Sequence, residues 1–254
     1  LRRRGLSLKR IAERLEEELG VRPSRATISY WIRGLASPLE RMRAIVDEEA
    51  YAYVLGAAVG DSKKRFRWRP RIGPGYRVKL ETTDREFAEA FAEYASRAFG
   101  RKYEVKVEPR KDRGKVYYSV YLYIRVLYED VKDWDAIVEV AERHPEAFLR
   151  GFFDAEGWPS VCVSGGELKV GIAAANTDLK LLYLVRKLLA ELGVPSSIYL
   201  FRPAGTKFVI EGRVTYTTRD AFILQVTGFG AVKRYYRRVG FAIPRKMWKL
   251  KDAV

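Results

Sequence analysis

Two acidic residues occupy the same place in two similar segments of the chain, residues 53–62 and 147–157. When the segments are aligned on Gly56 and Gly151, each has an acid five positions later, at Asp61 and Glu156. Such a repeat indicates two similar structural units. Carboxylate oxygens are the ligands that hard divalent cations prefer. The repeat therefore predicts a metal site, provided that folding brings the two acids together.

The elements that must bring them together are two helices rich in small residues: Gly56, Ala57, Gly60, Gly151 and Ala155. Small side chains allow two helices to pack backbone to backbone. The acids would then converge at one end of the interface, where their repulsion favours a cation between them. The alternative is two ordinary buried helices that end in Gly or Ser. An acid at a helix C-terminus opposes the macrodipole, and its occurrence in both segments argues against that alternative.

The repeated pattern resembles the LAGLIDADG homing endonucleases of the single-chain type, which carry two motif copies. The resemblance covers roughly residues 51–246. The metal-binding acid of the family stands at the eighth motif position, which is Asp61 in the first copy and Glu156 in the second. The sixth position is acidic only in the second copy, at Asp154, whereas the first copy has Val59.

The resemblance implies an α+β fold in which two pseudo-symmetric αββαββα units form a DNA-binding saddle of antiparallel sheets. We expect the units to be residues 39–143 and 144–254. Hydrophobic periodicity predicts helices over 84–99, 126–142, 177–192 and 230–239. It also predicts strands over 63–69, 76–82, 103–109, 116–124, 158–164, 167–175, 196–202 and 220–227, with a hairpin at 206–217.

Residues 1–38 predict a separate helical extension of the helix-turn-helix type. Apolar residues recur at helical spacing over 8–19, and Ser24 is suited to cap a second helix with Ile28, Trp31, Ile32 and Leu35 turned inward. The outward residues suit a groove-reading helix: Arg25, Thr27, Ser29, Tyr30 and Arg33. The alternative is a small helical cap with a solvated basic face.

The composition indicates a polyanionic partner, because the formal net charge is +16 and the pI is about 9.9. Cys162 and His144 are the only residues of their types, which excludes a disulfide framework, zinc fingers and histidine-based nucleases. No apolar run approaches the length of a membrane span. We expect a monomeric cytoplasmic protein that associates with the nucleoid when it binds DNA. Abundant Arg, Lys and Glu with few amides favour a hyperthermophilic source.

Alternation along the predicted strands places charged residues on one face and apolar residues such as Val78 and Leu80 on the other. We expect the charged face to contact double-stranded DNA, although a solvated basic face is the simpler alternative. Asn176 and Gln225 are the only side-chain amides, so the usual bidentate reading of adenine is nearly excluded and guanine reading through Arg is favoured. The predicted DNA contacts are Lys63, Arg65, Arg67, Arg69, Arg77, Lys79, Glu81, Lys106, Arg110, Tyr121 and Lys169.

For catalysis, the resemblance implies hydrolysis of both DNA strands with Mg²⁺ (or Mn²⁺) held by Asp61 and Glu156. Backbone carbonyls at Gly60 and Ala155 would complete the metal shell. The family also places a basic residue late in each half. The candidates are Lys246 in the second half and Arg143 in the first, with Lys63 and Lys233 as alternatives and ordinary surface charge as a further reading.

Two other functions compete with an intron-encoded homing endonuclease. A non-cutting relative would be a transcriptional regulator or an RNA-splicing maturase, and the helical extension favours the regulator. Retention of both acids argues against it, since a pure binder gains nothing from paired carboxylates. An intein is disfavoured because the chain lacks a splicing set of Cys and His residues.

Overall fold

The computed structural model describes residues 6–19, 23–33, 45–60, 77–110, 115–210 and 213–252. The chain divides into two compact units, Leu1–Ala44 and Ile45–Val254. The boundary follows Ala44, whereas the sequence placed the end of the helical extension at residue 38. Both motif helices belong to the second unit. Within the described parts of the chain, no helix combines the length and apolar character needed to cross a membrane.

The first unit contains two helices, α1 (Leu8–Leu19) and α2 (Arg25–Ile32). Ile11, Ala12 and Ile28 form its small core. The Ser24 side chain caps α2 by accepting a hydrogen bond from the backbone N–H of Thr27 at 3.0 Å. Ile32, which was expected to point inward, is 46% exposed because it lies in the last turn, beyond the packed stripe.

The second unit repeats one order of elements. Its first half contains α3 (Glu48–Gly60), β1 (Val78–Thr82), α4 (Arg85–Phe99), β2 (Lys106–Arg110), β3 (Lys115–Leu122), α5 (Arg125–Asp130) and α6 (Trp134–Arg143). Its second half contains α7 (Pro145–Glu156), β4 (Gly157–Ser164), β5 (Glu167–Asn176), α8 (Leu179–Glu191), β6 (Ser197–Arg202), β7 (Lys207–Ile210), β8 (Arg213–Tyr216), β9 (Ala221–Thr227), α9 (Phe229–Arg238) and α10 (Pro244–Lys251). The predicted α+β class is confirmed.

The two antiparallel sheets share one strand order. The first sheet has the order β1-β3-β2, and the second has β4-β5-β9-β6, with β7 and β8 forming a separate hairpin. The corresponding strands of β1, β3 and β2 are thus β5, β9 and β6. The strand predicted over 63–69, which would correspond to β4, lies outside the described residues. The inner face of the second sheet is fully buried at Ile172, Ala174, Leu224 and Val226.

Two elements differ from the sequence prediction. The single helix expected over 126–142 is two helices, because Asp133 caps a new start by accepting from the backbone N–H groups of Asp135 and Ala136. The C-terminal helix α10 was not predicted. Pro244 occupies its first turn, where the missing N–H costs nothing.

The repeat extends to the starts of the long helices α4 and α8. Asp84 caps α4 by accepting from Phe87 N, and its own N–H donates to Thr82 Oγ1. Asp178 caps α8 by accepting from Leu181 N, and its own N–H donates to Asn176 Oδ1. Short segments at equivalent positions, 82–84 and 176–178, therefore end a strand and begin a helix in the same way.

The two motif helices, α3 and α7, touch through their backbones. A Cβ built on Gly56 would lie 2.1 Å from the carbonyl oxygen of Phe148, and one built on Gly151 would lie 2.0 Å from the carbonyl oxygen of Tyr53. No side chain can enter such a gap, so glycine is required at both positions. The predicted backbone-to-backbone packing is therefore present, and it buries all of α3 from Ala50 to Ala58.

Replacement of either glycine by alanine should separate these helices. We expect Gly56→Ala and Gly151→Ala each to lower the free energy of unfolding by about 3 kcal/mol or more, because the added methyl overlaps a rigid backbone oxygen. The measurement is chemical denaturation at constant pH. Gly230→Ala in α9 is the matched control, since nothing lies within 4 Å of its Cβ position, and it should raise stability by up to about 1 kcal/mol. Equal effects at all three positions would contradict the packing argument.

Candidate functional site

Glu156 lies where the motif helices end together. Gly60, the last residue of α3, is close enough to α7 that a Cβ on it would lie 3.2 Å from Ala155 Cβ and 3.3 Å from Glu156 Cγ. The Glu156 side chain is half-buried at this contact. Asp61, the residue that follows Gly60 in the sequence, lies outside the described residues. The structure thus places the second acid and both small residues of the predicted site at one end of the helix pair.

Asn176 secures the end of the first motif helix. Its buried side-chain amide donates a hydrogen bond to the carbonyl oxygen of Gly60 at 3.3 Å. Gly60 was expected to offer this oxygen to a metal. A carbonyl oxygen has two lone pairs, so one remains after this hydrogen bond. Asn176 belongs to the second half and Gly60 to the first, so this contact also joins the halves.

Lys246 secures the end of the second motif helix. From α10 its Nζ donates to the carbonyl oxygens of Phe153, Asp154 and Gly157 at 3.3, 2.8 and 2.7 Å. These three bonds use all three N–H groups of an ammonium. Burial lowers the pKa of Lys246 to about 8, although the charge of Asp154 acts in the opposite direction. A cation at these carbonyls complements the negative end of the helix dipole.

Asp154 is the buried acid of the sixth motif position. Its Oδ2 accepts hydrogen bonds from Tyr53 Oη at 2.7 Å and from the backbone N–H of Ala242 at 3.0 Å. Its Oδ1 is also buried, and no hydrogen-bond partner is described for it. Burial raises the pKa of Asp154 to about 6, although Tyr53 and Lys246 favour its charged form. The carboxylate therefore ties both motif helices to the segment that leads into α10.

Arg143 does not lie at this end of the helices. It is the last residue of α6, and its guanidinium contacts Glu48 at 3.4 Å and Glu139 at 2.6 Å. Glu48 begins α3, and α7 begins two residues after Arg143. The 12 residues of α7 span about 18 Å, which separates Arg143 from Glu156. The prediction was wrong here because it compared the region before Pro145 with the sequence around Pro244 and did not consider which helix ends these regions adjoin.

Lys233 and Lys63 were the alternative lysines. Lys233 stacks over the Phe229 ring within α9 at 5.3 Å, and Lys63 lies outside the described residues. Among the described residues, no cluster of three or more His, Cys, Asp or Glu side chains could hold a metal ion.

Comparison with known proteins agrees with this geometry. Residues 144–240, from the start of α7 to the end of α9, match the family model for the LAGLIDADG-like domain. The second half of the repeat therefore resembles a LAGLIDADG-like domain. The whole chain is also 27% identical over 253 residues to an uncharacterized protein of Methanocaldococcus jannaschii, covering 98% of this chain and 89% of that protein.

Two solved structures share the LAGLIDADG fold with this chain. The homing endonuclease I-WcaI, bound to its DNA recognition sequence, matches with a TM-score of 0.55 at 10% identity, over 92% of this chain and 96% of its own. I-DmoI in complex with DNA and Ca matches with a TM-score of 0.52 at 16% identity, over 81% of this chain and 98% of its own. The predicted fold of the LAGLIDADG homing endonucleases is thereby confirmed.

The charged side chains on the outward face of the first sheet pair with one another. Lys79 is buried, and its Nζ contacts the carboxylates of Glu81 and Glu108, the latter at 3.0 Å. Tyr121 also donates to Glu108. Lys79 and Glu81 were expected to reach DNA, but they form an ion pair in which each largely neutralises the charge of the other. Alternation also placed Glu108 of β2 on this face, but it could not predict that its carboxylate would pair with Lys79.

Of the other predicted contacts of this sheet, Lys106 is exposed, Arg77 and Tyr121 are half-buried, and several fall outside the described parts of the chain. The Arg77 guanidinium and the Lys106 ammonium lie 5.6 and 5.3 Å from the centre of the Tyr121 ring, and the Lys79 ammonium lies 5.1 Å from it. Lys63, Arg65, Arg67 and Arg69 lie outside the described residues, as does the side chain of Arg110. Lys169 is exposed on β5 of the second sheet.

The predicted contacts of the first unit lie on or next to α2. Arg25, Tyr30 and Arg33 are exposed, and Ser29 is half-buried. The Thr27 hydroxyl already has a hydrogen-bond partner, because it lies 2.8 Å from the Ser24 hydroxyl within the helix cap.

Sequence reasoning gave no role to Asn176, Tyr53 or Asp154. The sequence did carry a signal for Asn176. It is the first residue of segment 176–178, and this segment ends in Thr-Asp like the equivalent segment 82–84. In the sequence, Tyr53 is one residue of an apolar helix. Only the packing of that helix, α3, against α7 shows that the Tyr53 hydroxyl contacts a carboxylate.

Because the Asp154 carboxyl is buried, the free energy of unfolding should depend on pH in a specific way. Its folded pKa of about 6 exceeds the usual 3.8, so the folded state holds the proton more tightly. The contribution of Asp154 to the free energy of unfolding therefore falls as pH rises from about 4 to 6. We expect Asp154→Asn to remove that loss, so that the difference in unfolding free energy, variant minus wild type, rises over this range by up to about 3 kcal/mol.

Urea denaturation at pH 4 and pH 7 measures this difference. Asp252→Asn, an exposed carboxylate at the end of α10, is the control and should give a difference that does not change with pH. A pH-independent difference for Asp154→Asn would refute the buried charge.

Proposed function

We propose that this protein is a sequence-specific, metal-dependent endonuclease that cleaves double-stranded DNA as a homing endonuclease. The observation that carries the proposal is the joint end of the motif helices, where Gly60 packs against Ala155 and Glu156. Supporting it are the LAGLIDADG-like domain over 144–240, a fold shared with two DNA-bound homing endonucleases, and a net charge of +16. DNA is the partner, and the active form is a monomer that contains both motif helices.

The donors at this end fit Mg²⁺ or Mn²⁺. Glu156 offers a carboxylate, and Gly60 offers the second lone pair of its carbonyl oxygen. Mg²⁺ commonly binds through one or two carboxylates plus substrate phosphate and water, which agrees with the lack of a larger acidic cluster among the described residues. Asp61, Glu156 and the carbonyls of Gly60 and Ala155 would hold it. When bound, the cation supplies Lewis-acid activation of water and stabilisation of the leaving oxygen.

Lys246 acts on the site through the backbone. Because all three of its N–H groups hold carbonyls of residues 153, 154 and 157, it fixes the end of α7 that carries Glu156. Its lowered pKa of about 8 leaves it mostly charged at neutral pH. Its role is thus to position Glu156 and to add positive charge beside the scissile phosphate.

A non-cutting DNA-binding regulator is the second candidate. The specific observation in its favour is the first unit, in which Arg25, Tyr30 and Arg33 are exposed on and just after the second of two short helices. Such a pair resembles a helix-turn-helix. A regulator would bind DNA without cutting it, whatever the metal.

The acids distinguish these functions. We expect wild type to cleave its DNA target in Mg²⁺, and Glu156→Gln and Asp61→Asn each to slow cleavage by on the order of 100-fold or more while DNA affinity stays similar, because a neutral amide is a poor metal ligand. Cleavage of a plasmid library, with DNA affinity measured in Ca²⁺, provides both readouts. Glu191→Gln, at the exposed end of α8, is the matched control and should cleave normally. Tight binding with no cleavage by wild type would favour the regulator.

A further inference from the structure

The outward face of the second sheet forms ordered rows of side chains. In the cross-strand register, Trp158 pairs with Ala173, Ala173 with Gln225, and Gln225 with Ser197. These residues alternate with the core residues Ile172, Leu224 and Val226, so they face away from the helices. The described cations of this outward face include Lys169 on β5 and Arg202, which pairs with Ala221 in the cross-strand register.

A notch lies on this face above Gly171. Its volume is about 410 Å³, and side chains from three strands line it: Ser160, Cys162, Lys169, Gln225 and Thr227. A Cβ on Gly171 would lie 3.2 Å from the Val226 carbonyl oxygen and 3.8 Å from Gln225 Nε2. The glycine therefore leaves the floor open directly beneath the amide nitrogen of Gln225.

Tyr199 fixes which end of the Gln225 amide is available. Its hydroxyl donates to Gln225 Oε1 at 2.8 Å, so the amide oxygen is turned toward β6. The amide nitrogen lies over Gly171, and no acceptor among the described residues takes its hydrogen atoms. Gln225 consequently presents two donors to the notch.

Lys169 adds further donors. It is exposed on β5, and within the described residues no carboxylate lies within ion-pair distance of it, in contrast to Lys79 with Glu81 and Glu108. An amide NH₂ and an ammonium are donors only. Gln225 and Lys169 therefore offer donors to a hydrogen-bond acceptor in this notch, which Leu168, Val170 and Phe229 also line.

We propose that this notch reads the major-groove edge of a guanine in the half of the DNA site that the second sheet covers, with Gln225 and Lys169 as donors and Tyr199 as the residue that orients Gln225. Guanine presents two acceptors there, N7 and O6. Adenine presents one acceptor and one donor, cytosine a donor, and thymine an acceptor beside a methyl group. The usual pairing of Gln with adenine needs the amide oxygen as an acceptor, and the hydrogen bond to Tyr199 turns that oxygen toward the Tyr199 hydroxyl on β6. This proposal rests on the proposed function, because it requires that the sheet bind DNA.

The first test changes single atoms of the DNA. After the target has been selected from a random library, each guanine in it is replaced in turn by 7-deazaguanine, which lacks the N7 acceptor. We expect one guanine in the half-site of the second sheet to weaken binding about tenfold on replacement. That penalty should disappear in Gln225→Ala, which lacks the amide.

The second test changes the protein. Gln225→Glu keeps the shape but replaces the donors by acceptors, so preference at that one position should move from guanine to cytosine or adenine, whose amino groups are donors. Tyr199→Phe frees the amide oxygen and should reduce the discrimination between guanine and adenine about tenfold. Specificity at other positions should stay unchanged in both variants, which a merely structural role would not produce.

The outcomes separate the two proposals. If wild type neither binds nor cuts DNA, the proposed function fails. If wild type binds a target whose second half tolerates every 7-deazaguanine, the guanine proposal fails while the proposed function stands. The same holds if replacement of thymine by uracil is the change that weakens the contact with Gln225. An unchanged base preference in Gln225→Glu would also overturn it.

Discussion

The structure depends on one contact, the crossing of two helices with nothing between their backbones. Gly56 faces the Phe148 carbonyl and Gly151 faces the Tyr53 carbonyl at distances that leave no room for a Cβ. Because the glycines stand in corresponding places, the contact relates the two halves of the second unit and aligns the C-terminal ends of α3 and α7. Every residue of the candidate site is placed relative to those ends.

Where two helices end together in the protein interior, their last carbonyl groups need hydrogen-bond donors as partners. This protein supplies different partners in its two halves. Asn176 donates to the end of α3, whereas Lys246 donates to the end of α7 and Asp154 anchors the segment that leads to that lysine. The first motif copy has Val59 where the second has Asp154. The two halves are therefore similar in backbone and unequal in chemistry.

The two sheets differ in the same manner. The outward face of the first sheet carries ion pairs and cations stacked on Tyr121. That of the second carries a notch lined by donors of Gln225 and Lys169 that have no acceptor among the described residues. A sheet face with paired charges is ordered by its own contacts, and a face that offers donors has a preference for acceptors. Equivalent strands can thus contribute differently to one elongated surface.

The sequence by itself determined the class and order of elements, because hydrophobic period and capping residues are local: the repeat of the motif, the helices at 84–99 and 177–192, and the strands of the second sheet lie within a few residues of their predicted bounds. The glycine spacing also predicted the helix contact. Only the tertiary structure decided which charges neutralise one another, since Lys79, Glu81 and Glu108 meet across strands, and which end of the helix pair Arg143 and Lys246 adjoin. Those outcomes depend on contacts between residues far apart in the chain, and local patterns carry no information about such contacts.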